Sequence, residues 1–200
     1  MGRTSLPNDY GMVFVYQKKP RVTPFWMFNT YINLSIAFID EYSIIREIHE
    51  LTAHPEKMKN IPKLNSVKDL KKINLNDSTV ALFMKEQVMP SFPISFALEV
   101  ASGWFHENQI RIGDVFIWKK GQKNASILRS IDLSQIPLED GRNALLELNM
   151  EGAVSIWLPA KAASRVVSLL DKNNKIIKTT KIDQSSALYT QSKVKYIMIQ

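Results

Sequence analysis

The stretch that decides the fold is FWMFNT at residues 25–30, which is followed by FID at residues 38–40. A weaker copy of this layout returns 131 positions on, with Trp157 and Asp171 in place of the tryptophan and the aspartate. In both places an apolar run leads into the aspartate and an aliphatic pair follows it. The sequence therefore predicts a tandem pseudo-repeat, in which one structural unit is used twice.

Short apolar runs bounded by turn residues predict a mainly β fold, sandwich or barrel-like, with a few short helices. The run Met12–Tyr16 predicts a strand buried on both faces, because it is continuous and rich in β-branched and aromatic residues. Two further runs flank the turn at residues 40–43 and predict a hairpin. The remaining predicted elements are strands at Val22–Trp26, Leu34–Ile39, Ile44–Ile48 and Ile94–Val100, a helix capped by Ser102 through Asn108, and a helix near Ser66–Ile73.

The second copy matches the first in several further places. Ala144–Leu148 corresponds to the first strand, and Val194–Gln200 corresponds to Ile94–Val100 at an offset of 100. One segment allows two interpretations. Residues 160–170 lie where the repeat requires a strand, yet they are rich in alanine with apolar residues at helical spacing, which predicts a helix.

Residues 1 to about 116 resemble a bacterial and archaeal family, the domain of unknown function 192, also called uncharacterised protein family 0127. The resemblance implies a compact, mostly β domain with no agreed activity. It is carried by segments that occur in the family's order: MGR at 1–3, LP at 6–7, GMVFV at 11–15, FWMFNT at 25–30, AFID at 37–40, IHE at 48–50, ALEV at 97–100, GW at 103–104 and IGD at 112–114.

The chain departs from the family pattern in two places. Family members usually have a strand and a short helical stretch before the segment that aligns with residues 1–3, so either the true start lies upstream or another strand takes that place. We expect a strand of the C-terminal half, Val194–Ile199 or Ile127–Leu133, to pair with the sheet edge left open. The family also tends to have a lysine where this chain has Phe28, so a role resting on that cation is not implied.

The predicted organisation has three parts. Residues 1–118 form the family-like β domain, in which residues 51–93 are an inserted, mobile surface loop punctuated by prolines. Residues 119–125 are polar and contain Gly121, so they predict a linker. Residues 126–200 form the degenerate second β unit, packed on the first.

Composition places the chain among globular proteins, since 45% of its 200 residues are hydrophobic and 10% are aromatic. No run reaches the roughly 20 apolar residues of a spanning helix. The absence of cysteine excludes disulfides and thiolate chemistry. The location expected from the sequence as written is the cytoplasm, or the periplasm or outside the cell if the start lies upstream. The oligomeric state is not indicated.

The net charge of +7 is unevenly placed, because residues 161–200 hold eight Lys or Arg and two Asp. A surface of this kind attracts anionic polymers, nucleic acid included, or anionic surfaces. Lysine, however, lacks the planar guanidinium group with which arginine makes bidentate hydrogen bonds to bases. The alternative without a binding function is a solvated basic surface. The candidate contacts are Lys172, Lys175, Lys178, Lys181, Lys193 and Lys195.

An aromatic ring beside an amide and a hydroxyl at a strand end is a workable face for a small polar ligand such as a sugar. The candidate ligand-binding residues are Trp26, Asn29, Thr30, Asp40 and His49. The structural alternative is that the tryptophan belongs to the core and that the polar residues satisfy turns through hydrogen bonds to the backbone.

A hydrolase-like alternative uses Asp40, His49 and Glu50 and requires these side chains to converge. The spacing of His49 and His54 does not fit a helical zinc pair, and the only other histidine is His106. A phosphate-binding glycine loop and a nucleophile elbow are absent. The sequence thus predicts no metal, no cofactor and no catalytic residues, and it favours a non-catalytic binding or structural protein over an enzyme.

Overall fold

The computed structural model describes residues 4–16, 18–59, 69, 74, 77–118, 121, 123–136, 144–158, 163–183 and 186–200. It divides into two compact units, Met1–Ile112 and Gly113–Gln200. The prediction that the chain is mainly β is confirmed.

The first unit is built on a four-stranded antiparallel sheet with the strand order β1-β4-β2-β3. A 3-10 turn at Pro55–Met58 and two helices accompany it. The elements are β1 (Gly11–Val15), β2 (Leu34–Ile39), β3 (Ile45–Leu51), α1 (Ser78–Lys85), β4 (Phe96–Ala101) and α2 (Trp104–Glu107).

The second unit contains a five-stranded sheet with the order β10-β9-β11-β8-β7 and a separate pair formed by β5 and β6. All neighbours in the large sheet are antiparallel except β7 and β8. The elements are β5 (Val115–Ile117), β6 (Ser126–Leu128), β7 (Ser130–Asp132), β8 (Ala144–Leu158), β9 (Arg165–Leu170), β10 (Ile176–Ile182) and β11 (Ser186–Ile199), with a 3-10 turn at Leu133–Gln135.

The core of the first unit forms where the segment FWMFNT covers one face of its sheet. The ring of Phe25 lies against Phe14 of β1 and Phe38 of β2, with centroid distances of 5.1 and 5.4 Å. Because β4 runs between these two strands, Phe25 sits over Ala97, whose small side chain leaves room for the ring. The hydrophobic contact closes this side of the sheet.

Part of the predicted surface loop at residues 51–93 belongs to the core. Met58, Val80 and Phe83 are at most 4% exposed and pack in the first core cluster. The ring of Phe83 also makes an edge contact with Phe28 at 5.6 Å. The prediction of a surface loop is therefore wrong for these described residues, because α1 and the 3-10 turn help to cover the sheet.

Strand β1 is an edge strand, so the prediction that it is buried on both faces is wrong. It pairs with β4 alone, and Met12 and Val15 are 49% and 45% exposed. The predicted strand at Val22–Trp26 is also wrong. This part of the chain makes only isolated bridges, Arg21 with Ile94 and Phe25 with Val88.

The residue that precedes the first turn of helix α2 is Gly103, not the predicted cap Ser102. Gly103 adopts a φ of 83° that only glycine takes up without strain. The hydroxyl of Ser102 donates to Glu50 at 2.7 Å and does not cap the helix. The helix predicted near residues 66–73 lies, apart from residue 69, outside the described residues.

In the second unit, Arg165–Leu170 is strand β9, so the helical interpretation of this segment is wrong over those residues. The prediction that Val194–Ile199 or Ile127–Leu133 completes the first sheet is wrong as well. The former lies in β11, which pairs with β8 and β9, and the latter spans β6 and β7, which pair with β5 and β8. The division into a family domain, a linker and a degenerate second unit stays a prediction.

The hairpins β2–β3 and β9–β10 are joined by the same kind of turn. In each, the aspartate carboxylate accepts the amides two and four residues on, at 2.8 to 3.0 Å. The residue three positions on has a left-handed φ of 65° in Ser43 and 61° in Asn174. The aspartates are Asp40 and Asp171. This local match fits the pseudo-repeat, which as a whole stays a prediction.

We expect Asp40→Ala to destabilise the first unit by about 3 kcal/mol and Asp171→Ala to destabilise the second by about 1 to 2 kcal/mol. Both changes remove two bonds to backbone amides, but Asp40 also accepts a 2.6 Å hydrogen bond from Arg46. Urea unfolding of the full chain, followed by amide resonances from each unit, measures both losses. Equal losses would show that the ion pair with Arg46 adds nothing.

Candidate functional site

The polar residues of the segment FWMFNT, Asn29 and Thr30, form part of a turn. The amide of Thr30 donates to the carbonyl of Met27 at 3.1 Å, and Asn29 between them has a left-handed φ of 57° and is 3% exposed. Asparagine is one of the few residues that tolerates this conformation. Trp26 is half-buried, packs against the core and stacks on Phe28 at 5.3 Å.

The three residues of the hydrolase-like alternative have separate partners. The carboxylate of Asp40 binds its own turn and Arg46. His49 and Glu50 are consecutive in β3 and therefore point to opposite faces. Glu50 accepts hydroxyl hydrogen bonds from Ser35 at 2.6 Å and from Ser102 at 2.7 Å. These bonds tie β3 to neighbouring elements.

His49 lies on the core-side face of β3, where its Nε2 is 2.8 Å from Glu47 Oε2. The other carboxylate oxygen of Glu47 accepts the amide of Ser91 at 3.0 Å and also the Ser91 hydroxyl. Burial acts to raise the pKa of Glu47, but the hydrogen bonds from Ser91 and His49 outweigh it and hold that pKa below its usual range. This carboxylate joins the edge strand to the chain that precedes β4.

The other two histidines lie apart from this group. His54 contacts Glu56 at 3.0 Å and Glu86 at 3.5 Å, and Lys57 pairs with Glu86 at 2.9 Å. His106 is exposed on α2. Among the residues that the structure describes, no group of three or more His, Asp or Glu is placed to hold a metal ion.

The six candidate lysines of the C-terminal half do not share one face. In β10, Lys178 is the register partner of Leu169 and Lys181 is the register partner of Val166. Because the two lysines are three residues apart in one strand, they lie on opposite faces of the sheet. Lys181 makes a 3.1 Å ion pair with Asp183. Lys195 makes a 2.9 Å ion pair with Glu147 and donates to a backbone carbonyl at 2.7 Å. Lys172 and Lys175 are exposed at the β9–β10 turn, and Lys193 is exposed on β11.

The residue that stands out in the first unit is Glu99 in β4. Its register partners are Met12 in β1 and Ile36 in β2, and directly paired residues of antiparallel strands point to the same face. Ile36 is fully buried in the first core cluster. The side chain of Glu99 therefore points to the face of the sheet that packs into the core.

Small and flexible side chains surround this carboxyl group. Ala97 and Ala101 lie two positions before and after it on the same face of β4. Phe25 covers Ala97, whereas Ala101 and Glu99 are partly exposed and Met12 is 49% exposed. We call Glu99, with Met12, Ile36, Ala97 and Ala101, the Glu99 site.

A close approach of two backbones shapes the same region. A Cβ atom on Gly11 would lie 2.7 Å from the carbonyl oxygen of Glu99. Only glycine therefore lets β1 run this close to β4. The approach brings Met12, the next residue, beside the carboxyl group.

The electrostatics of the Glu99 site are unusual. Burial raises the pKa of Glu99 to about 7, although the positive charge of the amino terminus opposes that rise. Burial also raises the pKa of the nearby Tyr16 phenol, the guanidinium of Arg21 opposes that rise, and the Glu99 carboxylate adds to it. Arg21 lies 5.1 Å from the centre of the Tyr16 ring.

Within the described part of the chain, no residue donates a hydrogen bond to the Glu99 carboxyl. A carboxyl group in partly buried apolar surroundings without a donor destabilises the fold when it is ionised. Sequence reasoning missed Glu99 as a site residue. The available signal was an acid between Leu98 and Val100, where both neighbours are apolar and the strand alternates.

The fold and the site together define a mainly β domain with a partly buried carboxyl, that of Glu99, on the core-side face of its sheet, to which none of the described residues donates a hydrogen bond. A family model described as DUF192, uncharacterised ACR, matches residues 1–118. The chain belongs to this family, which confirms the resemblance found in the sequence.

No curated protein and no solved structure matches the chain. None of the helices in the described residues has the length and apolar character needed to cross a bilayer.

We expect Glu99→Gln to be more stable than the wild type, by a difference that grows with pH. The pKa is about 4.5 in the unfolded chain and about 7 in the folded one, so the folded state holds its proton more tightly. Stability is therefore lost as the pH rises from the lower value to the higher, by at most about 3 kcal/mol. Above this window both states are ionised and the loss is complete.

Urea unfolding of both proteins between pH 4 and pH 9, followed by amide resonances of the first unit, measures this difference. Other titrating groups are common to both proteins and cancel in the comparison. A variant that is less stable than the wild type at pH 8 would mean that the carboxylate has a stabilising partner.

Proposed function

We propose that the protein is a non-catalytic binding module and that its first unit receives a small polar ligand at the Glu99 site. The observation that carries this proposal is the Glu99 carboxyl, which is partly buried among apolar side chains and has no hydrogen-bond donor among the described residues. A ligand that supplies a donor would satisfy it.

The energetic argument supports a functional role. Replacing an unpartnered buried carboxyl with a neutral residue improves stability, so its presence works against the fold. Positions that lower stability in this way are characteristic of functional sites. Glu99, Met12 and Ala101 are each at least partly exposed, so a ligand can reach the site from solvent.

The Glu99 site differs from the ligand-binding residues expected from the sequence. Asn29, Thr30 and Asp40 serve turns, and His49 is held by Glu47. Trp26 packs against the same core cluster that underlies the Glu99 site. The Glu99 site itself combines a carboxyl with the apolar side chains of Met12 and Ile36, which suits a small polar ligand with an apolar part.

The two alternatives receive no support from a specific contact. In the hydrolase-like alternative, Asp40, His49 and Glu50 are each bonded to different groups on different sides of the sheet. In the anionic-polymer alternative, the lysines are divided between two faces and two of them already pair with carboxylates.

Thermal unfolding of the full chain in the presence of a panel of small molecules tests the proposal. The panel holds protonated amines, polyols and carboxylic acids. We expect at least one class to raise the melting temperature of the wild type but not that of Glu99→Gln, because the variant lacks the carboxylate that the ligand binds.

The matched control is Glu107→Gln, which changes an exposed acid on α2 and should respond like the wild type. A class that stabilises Glu99→Gln as much as the wild type binds elsewhere. If no class stabilises the wild type, the proposal of a small-ligand site fails.

A further inference from the structure

We propose that the second unit docks on an anionic lipid surface through the tip of its β9–β10 hairpin. The hairpin tip consists of residues 172–178, with the sequence KNNKIIK, and every one of these residues is exposed. It combines aliphatic side chains with positive charge at the end of a turn. This inference goes beyond the proposed function, because it does not involve the Glu99 site.

The apolar part of the hairpin tip is a pair of isoleucines at the start of β10. Ile176 is 54% exposed and Ile177 is 38% exposed. Among the described strands, β10 pairs with β9 alone, and the register shifts between Ile176 and Lys178, so Ile177 has no partner in β9. A bulge of this kind interrupts the alternation of side chains along a strand. Two adjacent aliphatic side chains are therefore left without a packing partner.

The charged part of the hairpin tip is made of Lys172, Lys175 and Lys178. Among the described residues these lysines make no ion pair. The acid beside them, Asp171, accepts the amides of Asn173 and Lys175 at 2.8 and 3.0 Å, so its carboxylate serves the turn. The positive charge is thus available to a partner.

A second strand adds charge on the same side of the sheet. The last pair between β11 and β9 is Tyr196 with Leu170, and β11 runs past this pair on the side of the turn. Lys193 lies on that part of β11 and is exposed. The basic character is therefore a property of the folded sheet and not only of one run of sequence.

An anionic bilayer satisfies both parts of the hairpin tip. Aliphatic side chains are stabilised at the boundary between headgroups and acyl chains, and lysines are attracted by anionic headgroups. Nucleic acid would use the lysines but leave the isoleucines in water, and residues 172–178 contain no aromatic ring or arginine that could stack on a base. A second copy of the hairpin tip would bring like charges together.

The lysines have a structural alternative. A lysine on an edge strand discourages pairing with another chain, and β10 is an edge strand. That role accounts for Lys178, which lies within the strand. It does not account for Lys172 and Lys175, which lie in the turn, nor for the exposed isoleucines beside them.

Sedimentation of the full-length protein with vesicles tests the proposal. We expect binding to equimolar phosphatidylglycerol and phosphatidylcholine vesicles to be at least about tenfold tighter than to phosphatidylcholine alone, with a difference that shrinks in high salt. Replacing Lys172, Lys175 and Lys178 with glutamine should weaken it about 100-fold, since each lysine near an anionic surface contributes about fivefold. Replacing Ile176 and Ile177 with threonine should weaken it at least about tenfold, because less apolar surface enters the interface.

Each variant has a matched control in the first unit. Replacing Lys18, Lys19 and Lys85 with glutamine removes the same charge from other exposed lysines, and replacing Leu82 and Met84 with glutamine removes two exposed apolar side chains of α1. Both controls should bind the anionic vesicles as the wild type does. If they lose as much affinity as the variants of the hairpin tip, the attraction is diffuse and the proposal is overturned.

A fluorescent label reports directly on contact with lipid. The chain has no cysteine, so Asn173→Cys provides a single attachment point in the hairpin tip for an environment-sensitive fluorophore. We expect its emission to shift to the blue on anionic vesicles. The control is Gln135→Cys, which lies after β7 at the opposite edge of the same sheet and should show no shift.

Several results would overturn the proposal. These are a failure of the wild type to bind anionic vesicles, binding that survives both variants of the hairpin tip, and a label on Asn173→Cys whose emission does not change. Binding of a DNA duplex as tight as that of anionic vesicles, together with no effect of the threonine replacements on either, would assign the lysines to a polyanion instead of a bilayer.

Discussion

The packing of Phe25 between Phe14 and Phe38 is the contact on which the first unit depends. It joins β1 and β2 across the intervening β4 and fixes the segment FWMFNT over the sheet. It also requires a small residue beneath the ring, which Ala97 supplies. The same alternation that puts Ala97 under the ring places Glu99 two residues further on the same face, just beyond the cover. The position of the carboxyl is thus a direct consequence of how the core is closed.

Much of the first sheet was predictable from local patterns. The run Leu34–Ile39 is apolar throughout and is a central strand with all six residues buried, so its pattern and its environment agree. The turn at Asp40 was predictable too, because aspartate satisfies backbone amides by itself. The match at Asp171 shows that the same local chemistry forms the same turn when it ends another strand.

Other features depended on tertiary structure, and their local sequence pattern was absent or ambiguous. The apolar run at β1 predicted burial, yet the strand lies at an edge, and edge position is set by the partners of the sheet. The burial of Val80 and Phe83 depends on α1 docking against the sheet, although their segment is polar and interrupted by prolines. Glu99 was missed because one acid in an alternating strand usually marks a solvated face. Its real environment follows only from the register with Ile36.

The contrast between Glu99 and the other acids of the first unit gives the reason for treating it as functional. Glu50 and Asp40 each accept two or more hydrogen bonds, and Glu47 binds both Ser91 and His49, so these carboxylates strengthen the fold. Their pairing shows that this sheet places donors where an acid must be stabilised. Glu99 lies in the same sheet, partly buried between apolar register partners, without such a donor among the described residues. A carboxyl used only for structure would be paired like its neighbours, and a position used only for packing would carry a leucine or a methionine. Glu99 fits neither requirement, and this contrast is the ground on which we propose that it receives a ligand.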